Sequence, residues 1–149
     1  PELIGRGLTV STVKHAHHDF DIDRPGKDSY EHREAGAKEV MVASSVRWAL
    51  IHEGRGETEP SLDELVQRMA PVDLILIEGF KSESYQKLEV HRPSLGKKLL
   101  CLDDTEVVAL ASDASVEGTK LPVLDLDDVA AIADFIIAHC GLAAARGAA

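Results

Sequence analysis

The chain has 149 residues, 44% of them hydrophobic but only 4% aromatic, and a formal net charge of -10 at pH 7. That length is most simply one domain, expected over residues 1–142 with a loose tail over 143–149 and a core of Leu, Ile, Val and Ala. The acidic balance argues against a nucleic-acid or anionic-membrane binder, yet allows phosphate to be held locally by a lysine, a backbone N–H or a metal.

Pro1 to Gly7 reads as the last turns of a helix, stopped by Gly5 and Gly7. Leu8 to Val13 is β-branched and alternating, hence a strand. It runs into a polar loop, Lys14-His15-Ala16-His17-His18 and then Asp19-Phe20-Asp21-Ile22-Asp23, closed by the turn Arg24-Pro25-Gly26. Asp28, with Glu31 three residues on, predicts a capped helix to about Gly36-Ala37. Glu39 to Ser44 and Val46 to His52 are two apolar runs about two residues apart, expected as a buried antiparallel hairpin at the edge of the sheet. Ser61-Leu62-Asp63-Glu64 is a capping box, and Leu62, Leu65, Val66 and Met69 continue a one-faced helix to Ala70.

Pro71 stops that helix, and the stretch Val72-Asp73-Leu74-Ile75-Leu76-Ile77-Glu78-Gly79-Phe80-Lys81 follows. Leu74 to Ile77 are apolar at successive positions, which predicts a central parallel strand covered on both faces. Ligands of open α/β sheets bind beyond the carboxyl ends of such strands, where Glu78 and Lys81 stand. An acid after a buried strand suits a Mg²⁺-linked water beside phosphates; a core strand with a charged first turn explains the same residues. Leu88 and Val90 alternate with Glu89 and His91 in a half-exposed strand, whose Glu89 and His91 are expected in solvent. Val107 to Ala111 is a buried strand ending in Ser112-Asp113, and Val123 to Leu126 is a last short one. Val129, Ile132, Ala133, Ile136, Ile137 and Cys140 form a helical stripe ended by Gly141. The order βα, hairpin, αβ, β, β, β, α is that of an α/β sheet with mixed edges. Cys101 and Cys140 lie in apolar runs and read as buried free thiols of a reducing compartment, so a cytoplasmic location is expected. No apolar run approaches the roughly 18 residues of a transmembrane helix, and the N-terminus is not a signal peptide.

The chemistry-bearing residues gather in the polar loop. Gly26-Lys27-Asp28-Ser29 fails as a phosphate loop, because G-x-x-x-x-G-K-[ST] needs Gly at 21 and Ser or Thr at 28, where the chain has Asp21 and Asp28. Asp19, Asp21 and Asp23 have the spacing of a calcium loop, but Arg24 and Tyr30 stand where it needs Gly and Glu. One of these aspartates as a Mg²⁺ or water ligand beside a nucleotide fits better. His15, His17 and His18 could hold a metal, although no further ligand is fixed by spacing; a loop that meets phosphate or a partner is the alternative. Lys14, at the strand end, is the better phosphate candidate. Arg33, one helical turn after Ser29, could reach an anion or simply be solvated. Asp113, at a late strand end, could accept from N1 and N2 of guanine.

The block from Thr12 to Ser29, followed by Arg33-Glu34-Ala35-Gly36-Ala37, Leu76 to Lys81 and Lys87-Leu88-Glu89-Val90-His91-Arg92, closely resembles the molybdopterin-guanine dinucleotide biosynthesis protein B family, MobB. The resemblance implies a P-loop NTPase-like α/β fold with a mostly parallel sheet, helices on both faces and an edge hairpin. It also implies a dimer that binds GTP with Mg²⁺, hydrolyses it slowly, and works with the guanylyltransferase MobA, which joins GMP to molybdopterin. By position Glu78 matches the acid of the family's Walker B-like strand, holding the Mg²⁺ shell or orienting water. Gly79 lets the backbone approach phosphates, and the Lys14 to Asp23 loop lies where switch-like loops meet the γ-phosphate. The family's first strand and phosphate loop are not among these 149 residues; they are expected upstream of Pro1, and without them GTP binding should be weak or lost. A non-catalytic adaptor and a metal-handling protein using the histidine loop remain the alternatives.

Overall fold

In chain order the secondary structure is α1 (Glu2–Gly5), β1 (Val10–Lys14), α2 (Asp28–Glu34), β2 (Glu39–Ala43), β3 (Trp48–His52), α3 (Leu62–Gln67), β4 (Leu74–Glu78), β5 (Lys87–His91), β6 (Val107–Ser112), β7 (Val123–Asp125) and α4 (Val129–His139), in a computed structural model that describes residues 1–16 and 20–143. It is an α/β fold in which, among the described residues, three of the four strand pairs are parallel. Among the described residues no helix is long and apolar enough to cross a membrane. The chain divides into two units, one of Pro1–Lys14 with Pro71–Ala149 and one of His15–Ala70.

In the first unit, β1 and β4 pair in parallel from Val10↔Leu74 to Lys14↔Glu78. Asp73 fastens the start of this pair. It accepts from the Thr9 N–H at 2.7 Å and the Thr9 hydroxyl at 2.6 Å, while its own N–H donates to Thr9 Oγ1 at 2.9 Å. Leu3, Leu8 and Ala133 form a buried cluster joined by Val10, Leu74, Ile136 and Ile137, so the stripe on α4 packs on the turn that follows α1. Arg6 ties α1 to α4 by binding Glu2, Asp134 and the Ala130 carbonyl. A separate parallel sheet has the order β5-β6-β7. Its middle strand is buried from Ala109 to Ser112, as a strand flanked on both edges should be.

Three expectations for this unit need correction. The stretch Leu74 to Ile77 does form the strand, but β4 pairs with β1 alone among the described residues, and Leu76 is exposed. A continuous apolar run does not by itself report cover on both faces. In β5 the expected faces are inverted: Val90 is exposed, and Glu89 is buried, only 9% accessible. Its carboxylate accepts from the Leu100 N–H at 2.7 Å and the Cys101 N–H at 2.9 Å, at the start of the 3-10 turn Leu100–Leu102. Two backbone donors thus compensate an ion that would otherwise be costly to bury. Cys140 is exposed rather than buried, and Cys101 is half-buried.

In the second unit, β2 and β3 form the expected antiparallel hairpin, with Glu39↔His52 through Ala43↔Trp48 in register. It pairs with no other strand among the described residues, so it is not the edge of a larger sheet. Nor is it buried: only Val40 is, while Met41, Val42, Trp48 and Leu50 are exposed. The Ser61 box forms as expected, the hydroxyl accepting from the Glu64 N–H and the Glu64 carboxylate accepting from the Ser61 N–H at 2.8 Å. Asp28 does not cap α2; Lys27 occupies that position with extended backbone, and no side-chain cap forms. The Asp28 carboxylate stands in the first turn, where it still complements the helix dipole.

Candidate functional site

The aligned ends of β1 and β4 place Lys14 directly beside Glu78. Lys14 Nζ donates to Glu78 Oε1 at 2.8 Å, with the two side chains 68% and 72% exposed. An ion pair so open to water is worth only about 0–1 kcal/mol, so both groups can turn to a ligand at small cost. Gly79 (φ 90) and Phe80 (φ 48) follow, both in the left-handed region. A non-glycine residue there is uncommon and costs of order 1–3 kcal/mol, a strain found mostly at functional sites and tight turns. The chain therefore leaves β4 abruptly, so that Glu78 ends the strand at a bend. Lys81 lies just past this bend and is exposed.

Asp113 follows directly on β6. Arg92 Nη1 donates to its Oδ2 at 2.7 Å. Asp113 lines a pocket of about 240 Å³ with Ser112, Ala114, Val123, Leu124 and Asp125, at the carboxyl ends of the parallel strands β6 and β7. That is where open parallel sheets take ligands. Sequence reasoning reached Asp113 but not its company. The register that sets Ser112 opposite Asp125 joins residues 13 apart and could be inferred only once β6 and β7 were known to be neighbours.

In the second unit, Arg33 gathers the carboxylates. Its Nε donates to Glu53 Oε1 at 2.7 Å and its Nη1 to Asp21 Oδ1 at 2.8 Å, with Asp23 Oδ2 at 3.7 Å and the Tyr30 ring beneath the guanidinium. Bonding to Glu53 first and Asp21 second raises the arginine above its ordinary value. Asp21 is held below its ordinary value, first by the Asp23 N–H and then by Arg33. Asp23 Oδ1 accepts from the Ser29 hydroxyl, whereas its Oδ2 is buried with no hydrogen-bond partner among the described residues. Arg33 is thus neither solvated nor an open anion site; a phosphate would have to displace its own carboxylates. Asp21 and Asp23 stand together with Arg33, while Asp19 lies outside the described residues. His15 Nε2 is 3.0 Å from Glu59 Oε1. His17 and His18 lie outside the described residues, and among those described no group of three or more His, Cys, Asp or Glu is arranged to hold a metal.

The family model for molybdopterin guanine dinucleotide synthesis protein B matches residues 1–113. The chain is 44% identical over 140 residues to the molybdopterin-guanine dinucleotide biosynthesis adapter protein of Escherichia coli (strain K12), covering 92% of this chain and 79% of that one. It is 40% identical over 138 residues to the protein of the same name from Haemophilus influenzae, covering 91% of this chain and 75% of its relative. The crystal structure of a molybdopterin-guanine biosynthesis protein B is similar with a TM-score of 0.70 at 26% identity, covering 92% of this chain and 84% of that one. Bacillus subtilis MobB, at 22% identity and a TM-score of 0.63 over 92% of this chain and 83% of its own, shows the shared fold.

Proposed function

The chain belongs to the molybdopterin guanine dinucleotide synthesis protein B family, and from that premise we propose that it serves this synthesis as a GTP-binding accessory protein to the guanylyltransferase MobA. The observation that carries the reading is the Lys14–Glu78 pair at the carboxyl end of two parallel strands, on the bend made by Gly79 and Phe80. Mg²⁺ is usually held through one or two carboxylates together with substrate phosphates and water. An exposed glutamate at a strand end fits that role. Bound there, Mg²⁺ would supply charge neutralisation at the phosphates. Lys14 and Lys81 supply ammonium charge to the same phosphates, and Glu78 orients the water of a slow hydrolysis.

The test is isothermal titration of GTP and Mg²⁺ into protein expressed from its complete gene. Wild type binds, and Glu78→Gln weakens the Mg²⁺-dependent part about tenfold or more. Absence of heat above buffer overturns the reading. Both E. coli and H. influenzae relatives bear the name adapter protein, which favours a second reading in which binding matters and hydrolysis does not. On that reading Glu78→Gln leaves cofactor guanylation by MobA almost unchanged in a reconstituted assay at GTP and Mg²⁺ concentrations that saturate the variant; a large loss under saturation restores the enzymatic one. The reading includes a homodimer and a cytoplasmic location. Met41, Leu50 and Trp48 share the exposed face of the hairpin, an apolar surface of the kind a second copy would cover.

A further inference from the structure

At the end of β4, Gly79 (φ 90) enters the left-handed region at little cost, because it has no Cβ. Phe80 (φ 48) follows it there with a bulky side chain. Among the described residues the only other non-glycine in that region is Arg55 (φ 41), whose guanidinium is tied to the Arg33 and Ala37 carbonyls. Such conformations persist only where the surroundings over-determine them. At Phe80 two features do so. The residue is half-buried, and its carbonyl accepts from the Glu83 N–H at 3.1 Å, closing a turn over residues 80–83. Lys81 stands at the first central position of that turn.

Residues three apart on a strand point to opposite faces, so a straight continuation of β4 would part Lys81 from Glu78. The left-handed pair breaks this alternation. Phe80→Gly accepts the same φ without strain, yet leaves two adjacent positions free to take either sign of φ. We propose that Phe80 is a positioning residue: its half-buried side chain locks the bend and so holds Lys81 at the same end of β4 as Glu78, where the ammonium can meet a phosphate. The inference rests on the reading above for what Lys81 meets; the lock itself does not depend on the ligand.

The test uses protein expressed from its complete gene, first without ligand and then with it. Backbone order parameters from NMR relaxation are about 0.85 at residues 81–83 in the unliganded wild type and fall toward about 0.6 in Phe80→Gly, while those of the buried strand β6 stay unchanged. Phe80→Tyr keeps the wild-type values. Order parameters already below about 0.6 in wild type overturn the lock whatever the variant does, and so does an equal fall in β6, which marks general loosening. With GTP and Mg²⁺, Phe80→Gly weakens binding about tenfold in the wild-type background, within the range of one charge-assisted hydrogen bond. In the Lys81→Gln background it weakens binding less than about twofold. A loss of the same size in both backgrounds shows that Phe80 does not act through Lys81 and overturns the proposal. Absence of heat from wild type overturns the GTP reading instead, and leaves the order parameters to judge the lock.

Discussion

Glu89 offers the most direct test of how this fold is held. It is the buried acid of β5, and its two oxygens accept from Leu100 N at 2.7 Å and Cys101 N at 2.9 Å. Glu89→Ala removes both acceptors and strands two part-buried donors. Hydrogen bonds to charged groups contribute about 1.5–3 kcal/mol each. Two of them come to about 3–6 kcal/mol, partly offset because the mutant no longer buries a carboxylate. A net loss near 3 kcal/mol is expected, a large share of the roughly 5–15 kcal/mol typical of a domain. Glu89→Gln keeps one oxygen acceptor and exchanges the other for an amide that cannot accept, so it should lose about half as much. Urea unfolding followed by circular dichroism measures both variants, and an unchanged m-value confirms that the midpoint shift is a stability change. The expected shift in Tm for Glu89→Ala is about 6–12 °C. A Glu89→Ala variant within about 0.5 kcal/mol of wild type would refute the argument. So would a glutamine variant as damaged as the alanine one, which would place the effect in the charge, since glutamine keeps the volume, rather than in the two N–H bonds.

Leu110 is fully buried in the middle strand, and Leu110→Ala should cost about 2–5 kcal/mol by leaving a cavity; a loss under 1 kcal/mol in the same urea assay would show that the site collapses around the gap. Asp73 and Asp104 are both held below their ordinary value of 3.8, by the Thr9 hydroxyl and N–H and by the Lys87 ammonium respectively. Native carboxyls with lowered values bind fewer protons than the unfolded chain, so their stabilisation is complete above the ordinary value and is lost as pH falls through the native ones. Stability should drop steeply on acidification below about pH 4, and Asp73→Asn should flatten that limb; an unaltered slope would count against it. Trp48 is the only tryptophan and is 69% exposed, so iodide should quench its fluorescence efficiently in dilute protein. If a second copy covers the hairpin face, that quenching falls as concentration rises, with Met41→Glu on the same face abolishing the change.

Local chemistry was legible in the sequence and phase was not. The Ser61 box and the strand from Leu74 to Glu78 agree with the sequence because their signals lie within a few residues of one another, whereas the helix between them ends at Gln67, short of the expected Ala70 and Pro71. The alternation at Leu88 to His91 reports a period of two, but the same period is compatible with either face turned inward. Glu89 is inside only because two N–H groups eleven and twelve residues later receive it. The hairpin failed differently: its apolar residues were counted as core, yet hydrophobicity says what can be covered and not what does cover it. Arg33 was open between anion site and solvent because its partners Asp21 and Glu53 lie 12 and 20 residues away. Of the candidate site, Lys14 and Glu78 were each singled out, and their pairing appeared only with the parallel register. Asp113 was singled out without the serine and aspartate that share its pocket.

The partners in the β1–β4 ladder lie 64 residues apart, and this separation sets an order of events during folding. Parallel strands so distant in sequence close a long loop before any ladder contact repays the entropy. On a growing chain β1 leaves the ribosome first and waits unpaired, its β-branched edge open, while the whole of His15–Ala70 is made. If that segment, with its Ser61 cap and its hairpin of short-range contacts, condenses on its own, the flexible loop shortens and β4 can find β1 sooner. Weakening the Ser61 cap should therefore slow refolding more than its small effect on stability would suggest. The lysine and the glutamate of the candidate site would then meet only as the last pair of a ladder that closes late.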